Sequence, residues 1–66
     1  MNFDNAMKLF RQGVNITRLV WDDPKQYVIL KDGIFMKSMK GFDYRTIPYA
    51  FSNEDLLAKD WEVTRQ

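Results

Sequence analysis

The stretch QYVILKDGIFMKSM, at residues 26–39, constrains this chain more than any other. Two runs rich in β-branched and aromatic residues flank Lys31, Asp32 and Gly33, and Gly33 is free to take the positive φ that a tight hairpin turn asks for. The stretch therefore reads as strand, turn, strand, and it commits the centre of the chain to antiparallel sheet. On its C-terminal side KGFD gives a further turn and YRTIPY a further strand, whose Pro48 places its end at an edge or a bulge. On its N-terminal side VNITRLVW opens with Val14 and Ile16 alternating with Asn15 and Thr17, the pattern of a half-buried strand. Trp21 then leads into Asp22, Asp23 and Pro24, a sequence that favours a turn.

Helical signals bracket these strands. Phe3, Ala6, Met7 and Phe10 recur at the spacing of one helix face. Asn2 or Asp4 can cap that helix or complement its dipole, and Gly13 stops it. Near the other end Ser52 opens a short helix with Asp55 three residues on, an acidic form of the capping box, and Leu56 and Leu57 are expected to supply its apolar contacts. Trp61 and Val63 then alternate with Glu62 and Thr64, giving a last short strand. The fold expected is α+β: an N-terminal helix packed on one face of an antiparallel sheet of four or five strands, with a short helix before the last strand. The other sheet face is left to solvent, ligand or another copy.

Arg18 is the residue that this scheme does not absorb. Strict alternation puts it on the same face as Ile16, and an unpaired buried charge is costly. Either a bulge re-aims the chain, or Arg18 pairs with a carboxylate or with an anionic ligand.

With 66 residues the chain is read as a single domain spanning 1–66, small enough that its core alone is marginal. It has no cysteine and no histidine, which excludes disulfides, the usual zinc sites and the commonest general base. Two Trp, three Tyr, five Phe and four Met exceed what one small core needs, so some are expected at an interface between copies. A net charge of +1 argues against a general nucleic-acid binder. No apolar run approaches a membrane span, and the N-terminus lacks a basic signal-peptide region, so a soluble intracellular protein is expected.

No catalytic set is visible. Asp22 and Asp23 before Pro24 read as turn residues, and Asp55, Asp60 and Glu62 as a cap and solvated charges. Ser38 and Ser52 have no histidine to activate them, and there is no glycine-rich phosphate loop. Neither a cofactor nor a metal is implied. Binding is better supported: KSMKGFDYR interleaves Lys37, Lys40 and Arg45 with Phe42 and Tyr44, a mixture that can hold phosphates and stack bases, although a solvated hairpin reads the same way.

The two ends of the chain together resemble a known family. FDNAMKLFRQGVNITRLVW is similar to the opening of the phage Thoeris anti-defence proteins of the second type, through Phe3, Asp4, Ala6, Met7, Gly13, Ile16, Arg18 and Trp21. IPYAFSNEDLLAKDWEV resembles their ending, through Pro48, Tyr49, Ser52, Asp55, Leu56, Leu57, Ala58, Asp60 and Trp61. The two stretches cover just over half the chain, whose centre is shorter than in the longer members, which carry a loop-rich insertion before the Pro-aromatic element. The resemblance implies a sponge: a protein in the cytoplasm of the infected bacterium that captures a cyclic ADP-ribose-type signal without cleaving it. It also implies a homo-oligomer, dimer or tetramer, with nucleotide pockets between subunits. Pocket candidates are Arg18, Trp21, Tyr49, Asn53 and Asp55. Each also has a plainer role: a buried ion pair for Arg18, core packing for Trp21 and Tyr49, capping for Asp55, a solvated first turn for Asn53. Trp61 is assigned to the core, against the N-terminal helix, where Trp21 can join it. The alternative to a sponge is a small phage protein that inhibits a host defence protein, such as a CRISPR nuclease, by covering its surface.

Overall fold

A computed structural model describes residues 1–23 and 25–64; Pro24, the last residue of the expected Asp-Asp-Pro turn, lies outside them. The central hairpin joins β2 (Val28–Lys31) to β3 (Ile34–Met39), with Lys31 opposite Ile34. Asp32 and Gly33 take φ of 53° and 78°, so both central residues are left-handed, as in the hairpin turn whose twist matches that of its strands. β4 (Arg45–Pro48) pairs with β3 after a 3-10 turn over Lys40–Phe42. That turn ends with Asp43 and Tyr44 at φ 57° and 58°, a costly conformation for a bulky residue. Three bonds hold Tyr44 there: its amide donates to the Met39 carbonyl at 2.9 Å, its hydroxyl donates to Asp23 Oδ2 at 3.0 Å, and its carbonyl accepts from Ser38 Oγ at 2.9 Å. Pro48 does lie on an edge strand. The Tyr49 amide bonds the Phe35 carbonyl at 2.9 Å, so alternation along the ladder turns Pro48 outward, where its missing N–H breaks nothing.

β1 (Ile16–Arg18) pairs with β2 through Ile16 opposite Val28, and with β5 (Trp61–Val63) over its whole length, Arg18 facing Trp61. The sheet order is β4-β3-β2-β1-β5, with every neighbouring pair antiparallel. The expected α+β architecture is therefore the observed one, with five strands.

Helix α1 (Phe3–Phe10) is capped by Asn2, whose side chain accepts from the Asn5 amide at 2.9 Å, with Asp4 in the first turn and Gly13 beyond the end at φ 79°. It packs against β1, β5 and the short helix α2 (Asn53–Leu57). Its Ala6 and Phe10 join Ile16, Val28 and Trp61 as the fully buried core. Trp61 is the hub of the rings: Phe3, Phe10, Phe51 and Trp21 lie 5.9, 6.2, 5.8 and 5.7 Å from it, all near edge-to-face. Such contacts add roughly 0.5–1.5 kcal/mol each beyond area burial, so Trp61 carries much of the core.

Two expectations are corrected. Leu56 and Leu57 do not anchor α2: they are 45% and 80% exposed, and the buried residue of that helix is Asp55. The capping box turns Asp55 inward, and in a single helical turn the next two residues then point away. The sheet face opposite α1 is not fully open either. Thr17 and Ser38 are buried there, donating at 2.7 Å to the Gln26 carbonyl and at 2.9 Å to the Tyr44 carbonyl, so the loops carrying those carbonyls roof part of it.

Candidate functional site

The site grows from the cap of α2. The Ser52 hydroxyl accepts from the Asp55 amide at 3.1 Å while the Ser52 amide donates to Asp55 Oδ2 at 3.0 Å. That reciprocal pair fixes Asp55 beneath the sheet face, 2% exposed. Alternation along β1 brings Arg18 to the same place, and no bulge intervenes. Arg18 Nη1 meets Asp55 Oδ1 at 2.8 Å and Arg18 Nε meets Asp60 Oδ1 at 2.9 Å. Asp60 also takes the Val20 amide at 3.0 Å. The Tyr49 hydroxyl donates to Asp55 Oδ2 at 2.5 Å, and Trp61 Nε1 to the Asp55 carbonyl at 3.0 Å.

Among the described residues every buried side-chain nitrogen and oxygen has a partner. The electrostatics follow from that. Burial opposes the charge on Asp55, but bonds from Tyr49, Ser52 and Arg18 outweigh it, and the carboxyl is held below its ordinary range. Asp60 is lowered in the same way by Arg18 and the Val20 amide against the opposing effect of burial. Burial and then the bond to Asp55 push the Tyr49 phenol far up. On Arg18, burial is outweighed by its two carboxylates, which keep the guanidinium firmly charged.

Four of the five expected site residues thus meet: Arg18, Asp55 and Tyr49 are bonded, and Trp21, at the end of the 3-10 turn Leu19–Trp21, lies edge-on to Tyr49 at 6.4 Å. Trp21 and Tyr49 are half-buried. Asn53 stays apart, exposed in the first turn of α2. Asp60 was expected to be a solvated charge and is instead the second partner of Arg18, while Glu62 is exposed as expected.

Lys37 was read from the sequence only as one of three phosphate-holding cations of KSMKGFDYR, and its burial beside Trp21 and Tyr49 was missed. It is 6% exposed, and its Nζ lies 3.9 Å from the centre of the Trp21 ring and 5.1 Å from that of Tyr49. Lys40, Phe42 and Arg45 of KSMKGFDYR are exposed, as on a hairpin surface, while Ser38 is buried on the opposite sheet face. The signal for Lys37 was present: IFMKSM alternates, and Lys37 shares a face with Phe35 just as Arg18 does with Ile16.

A groove of about 210 Å³ opens beside the hub between Thr17, Arg18, Leu19, Asp22, Asp23 and Glu62. Three carboxylates on its wall and an Arg18 already committed to two others make it a poor seat for an anion.

Fold and site together define a small α+β domain whose acids and hydroxyls are bonded to one another and whose aromatic pair frames a lysine. The chain belongs to the Tad2-like family, the Thoeris anti-defense 2-like domain, whose family model matches residues 1–64. That membership gives it a role in countering Thoeris defence. No curated protein matches the chain.

Proposed function

We propose that this protein binds a cyclic ADP-ribose-type signal nucleotide in the cytoplasm of an infected bacterium and withholds it without cleaving it. The observation that carries this reading is the half-buried pair Trp21 and Tyr49, set beside Lys37 over a hub whose carboxylates are committed to Arg18. Flat rings at a surface offer a stacking platform for a base. Turnover needs a nucleophile and a base within reach of each other. Here Ser38 Oγ is spent on the Tyr44 carbonyl, Ser52 Oγ on the cap of α2, and Asp55 and Asp60 on Arg18. A site whose acids and hydroxyls are committed in this way suits holding a ligand more than turning it over.

The reading includes assembly of two or four copies around the ligand. Leu19, Val20, Leu56 and Leu57, all at least 45% exposed, support it, since apolar side chains on a small domain are costly to leave in water. The test is calorimetric titration with a panel of cyclic ADP-ribose isomers and cyclic dinucleotides, followed by heating and recovery of the ligand, with light scattering for mass. Tight binding with intact ligand released is expected. A cleaved ligand would remove the sponge, and no binding across the panel would move the function to direct inhibition of a protein.

A further inference from the structure

Lys37 is the charge that the hub leaves over. In the middle of β3 it stands opposite Val28 on one side and Ile47 on the other, so its stem runs along the core face of the sheet. Burial disfavours its charge; the nearby Asp55 favours it and Arg18 opposes it, and the net effect holds the amine below its ordinary range. Yet it forms neither a hydrogen bond nor an ion pair with any described residue, because the two carboxylates of the hub are taken by Arg18. What holds it is the pair of rings, Trp21 and Tyr49. No described side-chain nitrogen or oxygen is both sealed from water and without a bond, so the ammonium tip reaches water at the edge of those rings. An ammonium has three donors and no acceptor. This one offers them from a desolvated stem, where an arriving anion meets less competing water than at an exposed lysine.

We infer that the Lys37 ammonium, framed by Trp21 and Tyr49, is the anion anchor of the ligand site and takes an oxygen of a nucleotide's diphosphate. Arg18 is the weaker anchor, since its charge is already matched by two carboxylates, with Nε on Asp60 and Nη1 on Asp55. A nucleotide brings a flat base and a phosphate within short reach of each other, and a bare ammonium beside two half-buried rings matches both. The inference rests on the nucleotide-binding reading above and adds to it the residue that recognises the charge.

The experiment titrates wild type, Lys37→Met and Lys37→Arg with a cyclic ADP-ribose isomer, inorganic pyrophosphate and adenosine, by calorimetry. In parallel, the Lys37 side-chain amine resonance of the wild-type protein is followed by NMR, which frees the result from any folding defect of a variant. Lys37→Met is expected to lower affinity for the cyclic nucleotide by about tenfold or more and to abolish pyrophosphate binding. Lys37→Arg should recover part of both, adenosine should bind all three proteins alike, and the amine resonance should move with both anions. Cyclic nucleotide binding that Lys37→Met leaves unchanged, with a still resonance, overturns this inference and leaves the sponge standing. Pyrophosphate bound through Lys37, with no cyclic nucleotide bound, sinks the sponge and leaves the anchor. Binding of neither anion ends both.

Discussion

The sheet face under α1 carries two buried cations, and the molecule treats them in opposite ways. At the β1–β5 end, Arg18 is fenced by Asp55 and Asp60 and tied through them to Tyr49, Ser52 and Trp61. On β3, Lys37 has two aromatic rings and is bonded to no carboxylate of the described residues. Arg18 offers a planar fork that suits two carboxylates at once, and it stays charged whatever surrounds it. Lys37 offers a point charge that can change partners. The first is built to hold the fold and the second to meet something from outside.

Removing each charge without removing its bulk gives the sharpest test of that difference. Arg18→Met strands Asp55 in the core beside a tyrosine hydroxyl, and the loss is expected to be about 3–5 kcal/mol, enough to unfold much of so small a domain. Urea denaturation would show it as a collapse of the midpoint, and a midpoint near that of wild type would put Arg18 among the surface residues. Asp60→Asn is expected to cost less, about 1–2 kcal/mol, since Asp60 is only half-buried and Arg18 keeps Asp55.

Acid should reach the same end of the molecule. The folded-state pKa values of Asp55 and Asp60 lie below their unfolded values, so the folded chain binds fewer protons near pH 4. Their contribution is complete above about pH 5 and is lost as pH falls through the folded values. Denaturation midpoints between pH 6 and pH 3 should therefore fall steeply in wild type and less so in Asp60→Asn. Equal slopes would mean that Asp60 keeps an ordinary affinity for its proton. Lys37→Met should have the smallest effect, within about 1 kcal/mol at neutral pH, because the lost ring contact is offset by the ammonium that no longer has to be buried. A loss as large as that of Arg18→Met would show Lys37 to be a pillar of the fold and break the comparison.

These two cations also mark how far the sequence could be read. Alternation along NITR put Arg18 on the buried face unless a bulge re-aimed the chain, and demanded a partner for it there. The same alternation along IFMKSM applied to Lys37, but the residue was grouped with Lys40 and Arg45 in a charged stretch, and composition obscured period. The helix of Phe3, Ala6 and Phe10, the hairpin at Asp32–Gly33 and the cap at Ser52 were all legible, because each is fixed by residues a few positions apart. Asp60 was not, because what makes it a partner of Arg18 is pairing across the sheet between residues 42 apart in the chain. Nor were Leu56 and Leu57, since the direction of a single helical turn is set by the side chain it buries, here a carboxylate.

The sheet order has a consequence in time. The hairpins β2–β3 and β3–β4 close through short loops and can form within microseconds of collapse. The pairing of β1 with β5 closes a far longer loop, so the charges of Arg18, Asp55 and Asp60 stay hydrated until that crossing is made. Damage at the hub should then leave the folding rate almost alone and speed unfolding, while damage at Val28 slows folding. Stopped-flow chevrons of Asp60→Asn and Val28→Ala would measure both, and a slowed folding limb in the first would show that the two ends meet early. A domain ordered this way breaks first at its ion pairs and last at its hairpins.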